Sequence, residues 1–202
     1  VNKARGLYID TIDFKVVARA YDKFFNINER PETQFSNLRY KLQFPVSVYV
    51  KENGFLGIVG WNPETDDLLI TSKSSPTGDF SGYLAKTLYS IYGEEVMQKI
   101  KEYVKEHEVS FVFECCDMVN DPHIIEYPDS KVVLLDVIKN QIEYEKMPYD
   151  ELVVLAKEIG LVVKEKACEI ESWEDFFVWY HEVLSEDYKY NGEYIEGFVI
   201  ED

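Results

Sequence analysis

An α+β domain dominated by antiparallel sheet is the fold class that this sequence predicts, and three observations carry the prediction. Short apolar runs with strand-like alternation recur along the whole chain. Turn residues separate neighbouring runs, and helical periodicity is confined to three segments. No internal repeat, linker or low-complexity tract divides the chain, so residues 1–202 are expected to form a single domain.

Taken in order, alternation and turn signals predict strands near Leu7 to Asp10, Lys15 to Arg19, Val46 to Val50, Phe55 to Gly60 and Leu68 to Ser72. Further strands are expected at Val109 to Cys116, Val132 to Ile138, Leu161 to Lys166 and Tyr194 to Val199. The polar stretch from Trp61 to Asp67, with Asn62-Pro63 inside it, reads as a hairpin loop. A helix is predicted from Phe80 to Glu106, with Tyr83, Leu84, Leu88 and Ile91, then Val96, Ile100 and Val104, near one face and an interruption at Gly93. Shorter helices fit Tyr149 to Ile159 and Trp173 to Leu184. Ser172 is placed to cap the latter, with Asp175 three residues on.

At 202 residues, 46% hydrophobic and 15% aromatic, the chain can bury a full core and is not expected to be disordered. The formal charge of −17 argues against a nonspecific nucleic-acid coat, because phosphate binding needs a basic surface, yet it permits a local basic groove. Cys115, Cys116 and Cys168 form no CxxC spacing and no disulfide framework, so a reducing cytoplasmic setting is expected and the adjacent pair reads as small buried side chains. No apolar stretch approaches a membrane span and no signal peptide is present, so no membrane partner is expected. The chain opens at Val1 without an initiator methionine, which suggests a piece of something longer.

Lys51-Glu52-Asn53-Gly54 sits between the apolar runs Pro45 to Val50 and Phe55 to Val59. This puts a lysine at a glycine-bearing bend between two strands, where it is either an ordinary hairpin lysine or a nucleophile. A lysine amine attacks only when it is desolvated or placed beside other cations. If the electrophile is a nucleotide α-phosphate, the site also needs cations for the polyphosphate, a carboxylate for a metal and a group for the ribose. Lys73 in Thr71-Ser72-Lys73-Ser74-Ser75, Lys23 in Tyr21-Asp22-Lys23-Phe24-Phe25-Asn26, and Arg5 in Ala4-Arg5-Gly6 are the candidate cations. Glu114 within Phe111 to Cys116, and Glu196 before Gly197-Phe198-Val199, are the candidate carboxylates. Each has a plain structural alternative: a strand-end lysine for Lys73, a loop anchored by Phe24 and Phe25 for Lys23, a frayed terminus for Arg5, exposure by strand alternation for Glu114, and a solvated acidic edge beside Glu193 and Glu201 for Glu196.

The ordered set Ala4-Arg5-Gly6, Lys23-Phe24-Phe25-Asn26, Lys51-Glu52-Asn53-Gly54, Ser72-Lys73-Ser74, Phe113-Glu114, Val133 to Val137 and Glu196-Gly197-Phe198-Val199 resembles the adenylyltransferase domain of T4 RNA ligase 1 and its relatives, the fungal tRNA ligase domain among them. The likeness runs from Arg5 to Val199; each block is weak alone, and their order makes the set specific. It implies a nucleotidyltransferase fold of the ATP-grasp-like ligase type, with antiparallel sheets flanked by helices. It also implies an ATP-dependent RNA ligase acting through a lysyl-AMP intermediate to join RNA 5′-phosphate and 3′-hydroxyl ends. On that resemblance Lys51 is the catalytic nucleophile, Glu114 holds the ribose, and Glu196 binds Mg²⁺ or Mn²⁺. Arg5 and Lys23 contact the ATP phosphates, Lys73 lies beside the α-phosphate, and Phe25, Glu52 and Gly54 complete the nucleotide site. His123 is the candidate for the RNA end, as a histidine near there reads a terminal 2′-phosphate in fungal tRNA ligases; a loop histidine held by backbone is its alternative.

Two departures matter. Asn53 stands where the phage motif has aspartate, so a neutral amide can only orient its neighbours by hydrogen bonds. The family's further pair of lysines, beyond the Glu196 block, is not reached before Asp202, so the expectation is a domain cut before that motif, with a C-terminal segment of the same protein supplying the rest. Two other readings stay open. One is another lysine nucleotidyltransferase, a DNA ligase or a GTP-dependent capping enzyme; the other is a noncatalytic nucleotide- or RNA-binding module of the same fold. The nucleotide accepted separates the first, and the absence of any covalent adduct separates the second.

Overall fold

The computed structural model of this chain describes residues 4–122 and 125–202. Its strands, in chain order, are β1 Leu7–Ile9, β2 Val16–Arg19, β3 Val46–Lys51, β4 Phe55–Asn62, β5 Asp67–Ser72, β6 Val109–Cys116, β7 Lys131–Lys139, β8 Lys166–Ile170 and β9 Gly197–Glu201. The helices are α1 Phe35–Leu38, α2 Asp79–His107, α3 Tyr149–Ile159 and α4 Trp173–Val183, with a 3-10 turn at Pro31–Thr33. Every pairing between these strands is antiparallel, so the predicted α+β class holds. The chain divides into two compact units, one of Val1–Lys23 with Gly54–Lys164 and the other of Phe24–Asn53 with Glu165–Asp202.

The first unit is built on a four-stranded sheet of order β5-β4-β6-β7. Alternation along β6 sends Phe111, Phe113 and Cys115 to one face, where Leu84, Leu88, Met97, Ile100 and Val104 of α2 and Leu152, Leu155 and Ile159 of α3 close the core. Val112 points to the other face, packed with Ile58, Ile138, Ala18 and Ala20 beneath the β1–β2 ribbon. Burying each such Leu, Ile or Phe stabilises the unit by about 1.5–3 kcal/mol. Helix α2 breaks at Gly93, where the backbone is non-helical (φ 74°, ψ 174°), at the predicted interruption. Ile91, expected on the buried face with Leu84 and Leu88, is instead 42% exposed.

Charge is buried in this unit too. Arg19 is 1% exposed and is satisfied by the carbonyls of Gln141 (2.7 Å) and Ile142 (2.6 Å) and by the Asp22 carboxylate (2.7 Å). Asp136 on β7 pairs with Lys164 and accepts the hydroxyl of Tyr21. One expected strand is displaced. The segment from Leu161 to Lys166 meets a strand only through a single parallel bridge of Val163 to Leu134, while the Val162 N–H donates to the Tyr92 hydroxyl oxygen at 3.2 Å and the Lys164 carbonyl accepts the Tyr149 hydroxyl at 3.0 Å, and regular pairing begins only at Lys166.

The second unit holds a three-stranded sheet of order β8-β3-β9. Val46 and Val48 of β3 pack with Ile170 and Phe176 under a shell of aromatics, in which Phe35 stacks on Tyr180 at 4.4 Å. Ser172 caps α4 as predicted, its hydroxyl accepting the Asp175 N–H at 3.2 Å. The strand expected from Tyr194 starts at Gly197, because Tyr190 and Glu193 close a turn first, with Asn191 in the left-handed region. Phe24, expected to anchor its loop in a core, is 45% exposed.

Candidate functional site

The bend at Lys51 to Gly54 is not a hairpin. Strand β3, which ends at Lys51, pairs with β8 and β9, whereas β4, which begins at Phe55, pairs with β5 and β6. The chain passes from one unit to the other between Asn53 and Gly54. An ordinary hairpin lysine is therefore excluded.

In the second unit, the register of β3 on β9 sets Lys51 opposite Gly197 and brings together two blocks far apart in sequence. The Lys51 ammonium forms an ion pair with Oε1 of Glu196, with the two side chains 36% and 35% exposed. Asn53, 9% exposed, donates its side-chain amide to Oε2 of the same carboxylate at 3.0 Å. The neutral amide thus orients Glu196 while the lysine neutralises it. Glu52 lies between them, half-buried. Phe25 belongs to this unit, and the Arg30 guanidinium sits 4.8 Å from its ring centroid.

In the first unit, Gly54 and Glu114 are brought together. The Gly54 N–H donates to Oε1 of Glu114 at 3.2 Å. Glycine is required here by space alone, since an added Cβ would lie 2.2 Å from the Cys115 carbonyl oxygen. Strand alternation puts Glu114 on the face of Val112, two residues away, and it is half-buried. Its neighbour Cys115 is fully buried, and that burial pushes its thiol up to about 12, an inert small side chain as expected.

Arg5 is tied down rather than frayed. Its N–H donates to the Tyr21 carbonyl at 2.7 Å, and Ala4 bridges Asp22. The Gly6 Cβ position would lie 3.3 Å from the Lys73 Cα, so the Arg5-Gly6 backbone runs against the Lys73 loop. Lys73 and Lys23 are exposed. His123 lies outside the described residues. Sequence reasoning missed Arg19 and Lys164 as buried charges and Ser81 as a loop anchor; the only signal was Asp136 inside the apolar run Val132 to Ile138.

Among the described residues, no group of three or more His, Cys, Asp or Glu side chains is placed to hold a metal ion. A Mg²⁺ that takes one or two carboxylates and completes its shell with substrate phosphates and water does not need such a group. Glu196, a hard oxygen donor held between an amide and an ammonium, fits that single-carboxylate role. Among the described residues, no helix is long and apolar enough to cross a membrane.

These residues, in an antiparallel α+β chain, are accompanied by a direct family match. The chain belongs to the RNA ligase family, whose model matches residues 3–202. It is 31% identical over 227 aligned positions to a tRNA ligase of Candida albicans, covering 98% of this chain and 26% of that protein. It is 28% identical over 214 positions to tRNA ligase 1 of Schizosaccharomyces pombe, again covering 98% of this chain and 26% of that protein. The chain therefore spans about a quarter of the length of the curated relatives it matches.

Proposed function

We propose that residues 1–202 form an adenylyltransferase domain of nucleotidyltransferase fold, in an ATP-dependent RNA ligase that joins RNA 5′-phosphate and 3′-hydroxyl ends. The observation that carries this reading is the convergence of Lys51, Asn53 and Glu196, a lysine, an amide and a carboxylate drawn from two distant blocks by the β3–β9 register. Family membership over residues 3–202 supports it.

The chemistry follows from the residues in hand. Lys51 Nζ, having passed a proton to solvent, attacks the ATP α-phosphorus; an N–P bond forms, the bond to the bridging oxygen breaks, and pyrophosphate leaves. An oxygen of the RNA 5′-phosphate then attacks the same phosphorus, the N–P bond breaks and the lysine amine takes back a proton; the RNA 3′-hydroxyl, giving its proton to solvent, attacks the RNA 5′-phosphorus and AMP leaves. Glu196 holds the Lys51 ammonium at rest through a charge-assisted contact, and Asn53 fixes the carboxylate that does so. Glu114, fixed by the Gly54 N–H, takes the ribose hydroxyls; Phe25, Glu52 and Gly54 frame the nucleotide. Arg5 and Lys23 offset the charge of the outer phosphates and Lys73 that of the α-phosphate, the positioning and neutralisation that phosphoryl transfer requires. A bound Mg²⁺ or Mn²⁺ on Glu196 would supply further charge neutralisation. His123 is proposed for the RNA end.

Incubation with ATP and Mg²⁺, followed by intact-mass measurement, tests this. A single AMP adduct is expected, absent from Lys51→Ala. A GMP adduct formed from GTP in place of it would assign the chain to another nucleotidyltransferase class. No adduct with either nucleotide, from residues 1–202 and from a chain extended at its C-terminus alike, would leave a noncatalytic binding module.

A further inference from the structure

The loop that carries Lys73 is fixed by one carbonyl. The Ser75 carbonyl oxygen receives Ser81 Oγ at 2.5 Å, Thr71 Oγ1 at 2.8 Å, Ser72 Oγ at 3.2 Å and the Ser72 N–H at 3.2 Å. The Thr71 hydroxyl shares its proton with the Ser72 carbonyl at 2.9 Å. That same carbonyl takes the Tyr8 hydroxyl at 2.6 Å. In return, Ser81 Oγ accepts the Ser72 N–H at 3.1 Å, and Ser72 Oγ accepts the Ser75 N–H at 3.2 Å. Thr71, Ser72 and Ser81 are each at least nine-tenths buried, whereas Lys73 above them is exposed.

This arrangement is more than a turn needs. A two-residue excursion at a strand end is satisfied by one or two hydrogen bonds, with the remaining polar groups left to water. Here buried hydroxyls from a strand and from the first turn of α2 are spent on one acceptor, and Gly6 (φ +96°) runs close to Lys73, with room for no Cβ between it and Ile58. A side chain on Gly6 would meet the Lys73 Cα and carbonyl at 3.3 Å, besides adopting a left-handed backbone. The Lys73 side chain is exposed, whereas the loop backbone that carries it is held by buried hydrogen bonds.

We propose that Ser81 is a positioning residue for Lys73, and that with Thr71, Tyr8 and Gly6 it sets the Lys73 backbone against Arg5-Gly6 so that two cations approach a polyphosphate as one preformed unit. This rests on the reading of Lys73 and Arg5 as phosphate contacts. Its physical content is preorganisation: the loop does not have to be ordered when the nucleotide arrives, so the lysine is in place as charge develops.

The test is single-turnover AMP-adduct formation with ATP varied, for wild type, Ser81→Ala, Ser81→Thr, Lys73→Ala and Ser81→Ala with Lys73→Ala. Ser81→Ala is expected to slow adduct formation about tenfold with a smaller change in the apparent ATP constant, and Ser81→Thr, which keeps the hydroxyl, to restore most of it. In the Lys73→Ala background Ser81→Ala should add little, since two residues acting through one group are not additive. Amide hydrogen exchange supplies the second measurement: Ser81→Ala should expose Ser72 and Ser75 while leaving β6 protected. An unchanged rate, a full additional loss in the Lys73→Ala background, or unchanged exchange at Ser72 and Ser75 each overturns the proposal. Failure of the underlying function looks different. Wild type then gives no adduct at all and the positioning role falls with it, whereas failure of this inference alone leaves wild type active and Lys73→Ala impaired.

Discussion

Lys164 Nζ lies 2.7 Å from Oδ2 of Asp136, with the two side chains 4% and 0% exposed, and Tyr21 donates its hydroxyl to the same carboxylate oxygen. A second cation, Lys146, stands 3.6 Å from Oδ1. Removing one member of a buried pair strands the other, a cost well above that of any surface bridge. Asp136→Ala is predicted to destabilise the fold by about 3–5 kcal/mol in urea denaturation, and Asp136→Leu with Lys164→Met to recover much of that loss. Equal losses in the single and double variants would show that packing, not stranded charge, sets the cost.

Gly54 leaves no room for a side chain. The Cβ of Gly54→Ala would fall 2.2 Å from the Cys115 carbonyl oxygen and 2.7 Å from its carbon, backbone atoms that cannot rotate away. The local pairing must open, taking with it the Gly54 N–H bond to Glu114. A stability loss of about 1–3 kcal/mol is expected by denaturation. AMP labelling should fall by about 100-fold. Wild-type values for both would mean that the bend has slack the geometry does not show.

Glu196 should separate function from stability. Its pair with Lys51 is about one-third exposed on each side, so Glu196→Gln should change unfolding free energy by less than about 1 kcal/mol. On the proposed function, adduct formation should nevertheless drop about 100-fold, because the charge that faces the lysine is gone. A large loss of stability with labelling preserved would assign Glu196 to the scaffold.

Asp117 gives the fold a specific acid response. Burial pulls its carboxyl upward, but the Asn120 side chain, the N–H groups of Asn120 and Val119 and the nearby Lys86 outweigh it and hold the carboxyl below an ordinary aspartate's 3.8. With the folded value below the unfolded one, the stabilisation is complete above the unfolded value and is lost as pH falls through the folded one. Asp117→Ala should therefore cost stability at neutral pH and show a shallower decline than wild type below pH 4 or so. Parallel curves for the two proteins in acid denaturation would refute this.

Periodicity made most of the strands and three helices legible, including the Gly93 break and the Ser172 cap, because each is decided by residues within one or two turns of it. The strand at Leu161 is displaced because the Val162–Lys164 backbone bonds to Leu134, Tyr92 and Tyr149, partners that no pattern within the segment reveals. The α1 segment went unread for a related reason: Phe35-Ser36-Asn37-Leu38 carries no helical signal of its own, and Phe35 is held by Trp173, Phe177 and Tyr180. At the candidate site, residue types and order were readable. That Asn53 and Lys51 share one carboxylate was not, because it depends on the β3–β9 register. The anchoring of the Lys73 loop by Ser81 was hidden among ordinary serines.

The strand that carries Lys51 has both of its sheet neighbours, β8 and β9, in the segment 165–202. During synthesis at about 5–20 residues per second, roughly ten seconds pass between the emergence of Lys51 and that of Lys166. For that interval Val46, Val48 and Val50 have no edge to join, while β4, β5 and β6 can already assemble. The nascent chain thus completes the bed for Glu114 before it completes the bed for Lys51, and an apolar strand waits in the open where a chaperone or a neighbouring chain can reach it first.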